Sequence, residues 1–91
     1  MAVYSITYDL KKDKDYTRII NAIKALPGSA IKATLSQWLV STPLTFTQIR
    51  DHLKNNADGD DVIFVAKLDM PYWATSRVDK KVTDWLHNQA D

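Results

Sequence analysis

Apolar residues recur along this chain with two different periods, and the order of those periods is its strongest constraint. The opening stretch over residues 2–10, Ala-Val-Tyr-Ser-Ile-Thr-Tyr-Asp-Leu, alternates. Tyr4, Ile6, Tyr8 and Leu10 fall on one side; Val3, Ser5, Thr7 and Asp9 fall on the other. That is a strand with one apolar and one mixed face. From Tyr16 the period changes. Tyr16, Ile19, Ile20, Ile23 and Leu26 share one helical face, with Arg18, Asn21 and Ala25 opposite, and Asp13 or Asp15 can cap the helix. Pro27-Gly28 stops it. Two strands follow, over 30–33 and 37–41, joined through Thr34-Leu35-Ser36 and ended by Pro43.

The second helix carries the clearest local signal. Thr45-Phe46-Thr47-Gln48 fits a capping box, and Leu44 with Ile49 fits a hydrophobic staple. Phe46, Ile49 and Leu53 form its expected apolar face. Residues 55–61 are a turn. The run 62–68, Val-Ile-Phe-Val-Ala-Lys-Leu, predicts a strand buried on both faces for most of its length. After a loop with Tyr72 and Trp73, Ser76-Arg77-Val78-Asp79 signals another helix start. Val78, Val82, Trp85 and Leu86 make that last helix, over about 77–89, amphipathic.

The order is therefore strand, helix, strand, strand, helix, strand, helix. Strand–helix–strand taken twice gives a βαββαβ plan, the ferredoxin-like α+β sandwich, with an extra C-terminal helix. Right-handed crossovers place the first two helices on one face of an antiparallel sheet, with the first and third strands central. Residues 1–91 form a single domain. A chain of this size buries about 60–65% of its unfolded surface. The other sheet face is expected to lack a cover. Val3, with Ile63 or Val65, would add apolar surface there and suit a protein–protein contact. The last helix would cap part of that face or pack at an edge.

Composition removes several classes of function. With no cysteine, disulfides, thiolate catalysis and zinc–sulfur sites are excluded. No apolar run approaches the roughly 18 residues that span a membrane, and no signal-peptide pattern opens the chain, so a cytoplasmic location is expected. Twelve basic and 11 acidic residues leave a net charge of +1, far from the basic excess of a dedicated nucleic-acid binder. His52 and His87 read as surface histidines. Ser5, Ser36 and Ser41 lack the glycine context of a serine nucleophile. The Asp58-Gly59-Asp60-Asp61 run lacks the spacing and terminal Glu of a calcium loop.

Asp9, at the end of a central strand, is the sharpest candidate. Its carboxylate can bind Mg²⁺, although that ion takes about six oxygens and usually more than one carboxylate or phosphate. A homodimer with its two-fold axis near this strand would bring two Asp9 side chains together, a pair that needs a cation or proton between them. The same side chain can instead accept backbone hydrogen bonds in the turn or cap the next helix. Lys11, Lys12, Lys14 and Arg18 follow and suit a phosphate backbone, with Asp13 and Asp15 interleaved. Tyr72 and Trp73 can stack on bases or pack against protein.

Three stretches, Ser-Ile-Thr-Tyr-Asp-Leu at 5–10, Asp-Tyr-x-x-Ile-x-x-Ala-Ile at 15–23 and Ser-Gln-Trp-Leu-Val at 36–40, resemble the SinR-like small proteins. These are relatives of the smaller CRISPR spacer-acquisition subunit and of the VapD toxin nuclease. The likeness extends to Asp84-Trp85-Leu86. It implies a ferredoxin-like homodimer joined through its sheets, with Asp9 as a metal ligand. Such proteins are metal-dependent nucleases or non-catalytic DNA-holding subunits. Two expectations follow from the resemblance. One is a Mg²⁺-dependent endonuclease acting on RNA or DNA with Asp9 as its catalytic residue. The other is a non-catalytic homodimeric adaptor. The chain departs from the CRISPR pattern in three respects: it lacks an Arg-rich first helix, it has Ser-Gln-Trp-Leu in place of Ser-Val-Phe-Glu, and it ends in an extra helix.

Overall fold

The computed structural model describes residues 1–9, 16–57, 59 and 61–89. Its elements are β1 (Ala2–Asp9), α1 (Thr17–Lys24), β2 (Ser29–Thr34), β3 (Gln37–Thr42), α2 (Phe46–Lys54), β4 (Val62–Lys67) and α3 (Lys80–His87). The result is a small α+β fold: one four-stranded antiparallel sheet with three helices among the described residues. The strands lie in the order β2-β3-β1-β4, which puts β1 and β3 in the middle. No described helix is long and apolar enough to cross a membrane.

The alternation of β1 sorts the molecule into two unequal cores. Tyr4, Ile6 and Tyr8 join Trp38 and Val40 of β3 beneath Ile19, Ala22 and Ile23 of α1 and Ile49 and Leu53 of α2. Burying each of the large aliphatic side chains among them contributes about 1.5–3 kcal/mol. The opposite face holds a smaller cluster of Leu39, Val82 and Leu86, flanked by Ile31, Ala33, Leu68 and Trp73. The last helix thus caps part of the second face, over β2 and β3.

The local signals explain most element ends. At α2 the Thr45 backbone N–H donates to Gln48 Oε1 at 2.9 Å, and the Gln48 N–H donates to Thr45 Oγ1 at 3.2 Å. Ile49 is fully buried in the larger core, and Leu44 packs against the same cluster. The turn into β2 requires Gly28, whose φ is 107° and where a Cβ would run into the Ser41 carbonyl oxygen. The N-cap of α1 is Tyr16, without a side-chain hydrogen bond, and the expected caps Asp13 and Asp15 lie outside the described residues.

Four expectations are corrected. Ser76 does not cap the last helix. Arg77 has a left-handed φ of 61°, which interrupts any helix there, and Asp79 becomes the cap, accepting from the Lys81 N–H at 3.0 Å. Phe46 occupies the first turn of α2, outside the apolar face, and is 56% exposed. β4 is buried on one face only. As an edge strand it has a single neighbour, so Ile63 and Val65 meet the larger core while Val62 and Phe64 stay exposed. Val3 is buried where the chain leaving β4 passes, with its carbonyl accepting from the Leu68 N–H at 2.8 Å.

Candidate functional site

The face of β1 turned away from α1 and α2 changes character along its length. Val3 is buried, Ser5 half-buried, and Thr7 and Asp9 are exposed. The gradient follows from α3, which lies over β2 and β3 and leaves the β1–β4 margin open. Thr7 stands opposite Phe64, and Asp9 opposite Val62. The candidate carboxylate is therefore solvent-facing, at the C-terminal end of a central strand, beside an exposed apolar strip.

The strand is anchored by the residue just before Asp9. Tyr8 is buried, and its ring packs on Tyr16 with centroids 5.4 Å apart and planes tilted by 56°. Its hydroxyl and the Trp38 indole nitrogen are both buried without a hydrogen-bond partner among the described residues. Burial pushes the Tyr8 phenol above its ordinary value. The Trp38 N–H, near enough to favour the phenolate but outside hydrogen-bond geometry, opposes that shift, and Tyr16 adds to it. A buried polar atom left unpaired costs about 1–3 kcal/mol. Tyr8 is thus a structural anchor with a neutral hydroxyl.

Of the basic residues expected near Asp9, Arg18 is exposed on α1, while Lys11, Lys12 and Lys14 lie outside the described residues. The other candidates are structural. His52 Nε2 lies 2.9 Å from the Ala22 carbonyl oxygen; since a carbonyl only accepts, Nε2 carries the proton and ties α2 to α1. His87 is exposed at the end of α3, its ring 5.0 Å from Trp73. Trp73 packs in the smaller core, whereas Tyr72 is exposed. Ser5 Oγ accepts from Gln37 Nε2 at 2.8 Å, and Ser41 is buried. Asp58 and Asp60 lie outside the described residues.

No group of three or more His, Cys, Asp or Glu side chains that could hold a metal ion occurs among the described residues. Asp9 supplies one carboxylate, and Mg²⁺ held by so few protein oxygens draws the rest of its shell from water and from a phosphate-bearing ligand. The described residues of one chain therefore do not form a self-sufficient Mg²⁺ site. Sequence reasoning missed the apolar margin beside Asp9. On the α2 side of β4, Phe46 and Phe64, with Thr47, Arg50, Ile63 and Val65, line a groove of about 200 Å³. The continuous apolar run over 62–66 carries no local signal of which face an edge position leaves open.

No family model and no solved structure matches this chain.

Proposed function

We propose that the chain is a homodimeric, ferredoxin-like protein that handles nucleic acid in the cytoplasm, in the manner of the SinR-like, CRISPR-subunit and VapD group. In this reading Asp9 is where a Mg²⁺ ion would meet a phosphate of RNA or DNA. The observation that carries it is the placement of Asp9: exposed, at the end of a central strand. The strand order β2-β3-β1-β4, with α1 and α2 over one face, is the order the ferredoxin-like plan demands, and it supports that part of the reading. Lys11, Lys12, Lys14 and Arg18 would contact the backbone phosphates.

A second reading, a non-catalytic adaptor or DNA-holding subunit, is favoured by the lack of a three-ligand metal group among the described residues and by the net charge of +1. Cleavage assays on RNA and on duplex DNA, with Mg²⁺ and with chelator, separate the two. Metal-dependent cleavage that disappears in Asp9→Asn supports the nuclease. Binding without cleavage in both proteins supports the adaptor. Absence of both binding and cleavage contradicts the nucleic-acid reading altogether.

A further inference from the structure

The open margin of the sheet combines an edge strand with an exposed apolar strip. β4 is the last strand, so its outer side has no strand partner among the described residues. The Leu68 N–H donates to the Val3 carbonyl, and the Tyr8 N–H donates to the Ser36 carbonyl on the β3 side. In an antiparallel ladder the direction of the backbone groups alternates. Val62, Phe64 and Ala66 therefore turn theirs toward β1, and Ile63, Val65 and Lys67 turn theirs outward. Phe46, Val62 and Phe64, all at this margin, are three of the six exposed large hydrophobics among the described residues.

We propose that two copies join through their β4 edges, antiparallel and in a register centred on Phe64, to make one continuous sheet with four strands from each copy. The proposal rests on the dimeric part of the reading above and not on its chemistry. The occupant is argued from the strand's own sequence. Residues 61–67, Asp-Val-Ile-Phe-Val-Ala-Lys, carry an acid at one end and a base at the other. Centred on Phe64, the register places Asp61 opposite the partner's Lys67, twice by symmetry. Val62 meets the partner's Ala66, and Phe64 meets its own copy. Ile63 meets the partner's Val65, and those are the residues whose outward groups must exchange hydrogen bonds. The Phe64 pair then falls at a non-hydrogen-bonded position, where side chains approach most closely. A shift by one residue would pair opposite faces. Centring on Val65 keeps the faces but sets Lys67 against Ile63 and loses both ion pairs. The contact is isologous and uses up the edge, so it closes at two copies.

This dimer has a consequence for Asp9. With strands about 4.8 Å apart and a rise of about 3.4 Å per residue, the two Asp9 positions lie about 20 Å from each other. They cannot share one ion, and each carboxylate acts separately.

Sedimentation equilibrium of the full chain tests the proposal. The wild type should run at twice its 10.4 kDa chain mass at micromolar concentration. Phe64→Lys, which sets two cations on the two-fold axis, should be monomeric with an unchanged circular dichroism spectrum. Lys67→Asp should raise the dimer Kd by about tenfold, and the Asp61→Lys/Lys67→Asp double variant should restore it. A wild-type monomer would overturn both the homodimer and this interface. A wild-type dimer that survives Phe64→Lys, or that shows no rescue in the double variant, would overturn the β4 edge alone. Neither result depends on whether nucleic acid is cleaved.

Discussion

The two edges of the sheet are treated differently by the same chain. At the β2 edge, α3 lays Val82 and Leu86 against the sheet, and the Trp85 indole N–H donates to Ser29 Oγ at 2.8 Å. At the β4 edge nothing comparable among the described residues lies over the far face, and Val62 and Phe64 are exposed. Both edges expose the same backbone chemistry in principle, and an unprotected strand edge invites pairing. The contrast teaches that the last helix completes one half of the fold and leaves the apolar margin of the other half exposed.

That contrast can be broken most forcefully at α3. Leu86→Ala should destabilise the chain by about 2–5 kcal/mol in urea unfolding, because it empties the centre of the smaller core. Trp85→Ala should cost about 2 kcal/mol, since the ring is half-buried and loses its bond to Ser29. Trp85→Phe isolates the hydrogen bond at about 1 kcal/mol. Thr45→Ala, which removes half of the capping box on α2, should also cost about 1 kcal/mol. At the open edge, Phe46→Ser should shift monomer stability by less than about 0.5 kcal/mol, as for a surface position. A loss comparable to that of Leu86→Ala would mean the two edges are not different in kind.

The smallest expected effect concerns the anchor beneath Asp9. The Tyr8 phenol has its folded-state pKa raised above the ordinary 10.0. Below that ordinary value both states hold the proton, and Tyr8 leaves stability independent of pH. Above it the unfolded chain ionises while the folded chain keeps its proton, so stability falls as pH rises toward the folded-state pKa. Tyr8→Phe should leave neutral-pH stability unchanged or slightly raised, because it deletes a buried hydroxyl without a partner. It should also flatten the alkaline loss. Melts across the alkaline range check both.

Local signals in the sequence carried far. The alternation of Tyr4, Ile6 and Tyr8 and the Thr45–Gln48 pair act over a few residues, and both hold in the structure. The helical stripe of Val78, Val82, Trp85 and Leu86 also finds a core. What stayed illegible depends on distant strands. Whether Phe64 is covered is decided by β4 lying at an edge and by α3 sitting over β2 and β3. Val3 is buried by a segment more than sixty residues away, a contact that no local period encodes. Asp9 was legible as a strand-end carboxylate on the mixed face of β1, and the structure adds that it is exposed. Its neighbours Val62 and Phe64 were not, because an apolar run on an edge strand reads like one in a sheet centre.

The role of Asp9 is tested most directly by fluorescence anisotropy of labelled RNA and duplex DNA, titrated with wild type and Asp9→Asn in Mg²⁺ and in chelator. Mg²⁺ should tighten binding to the wild type, because a phosphate oxygen would fill a position on an ion held at Asp9, and Asp9→Asn should bind equally with and without the ion. Identical Mg²⁺ responses in the two proteins would contradict the assignment of Asp9.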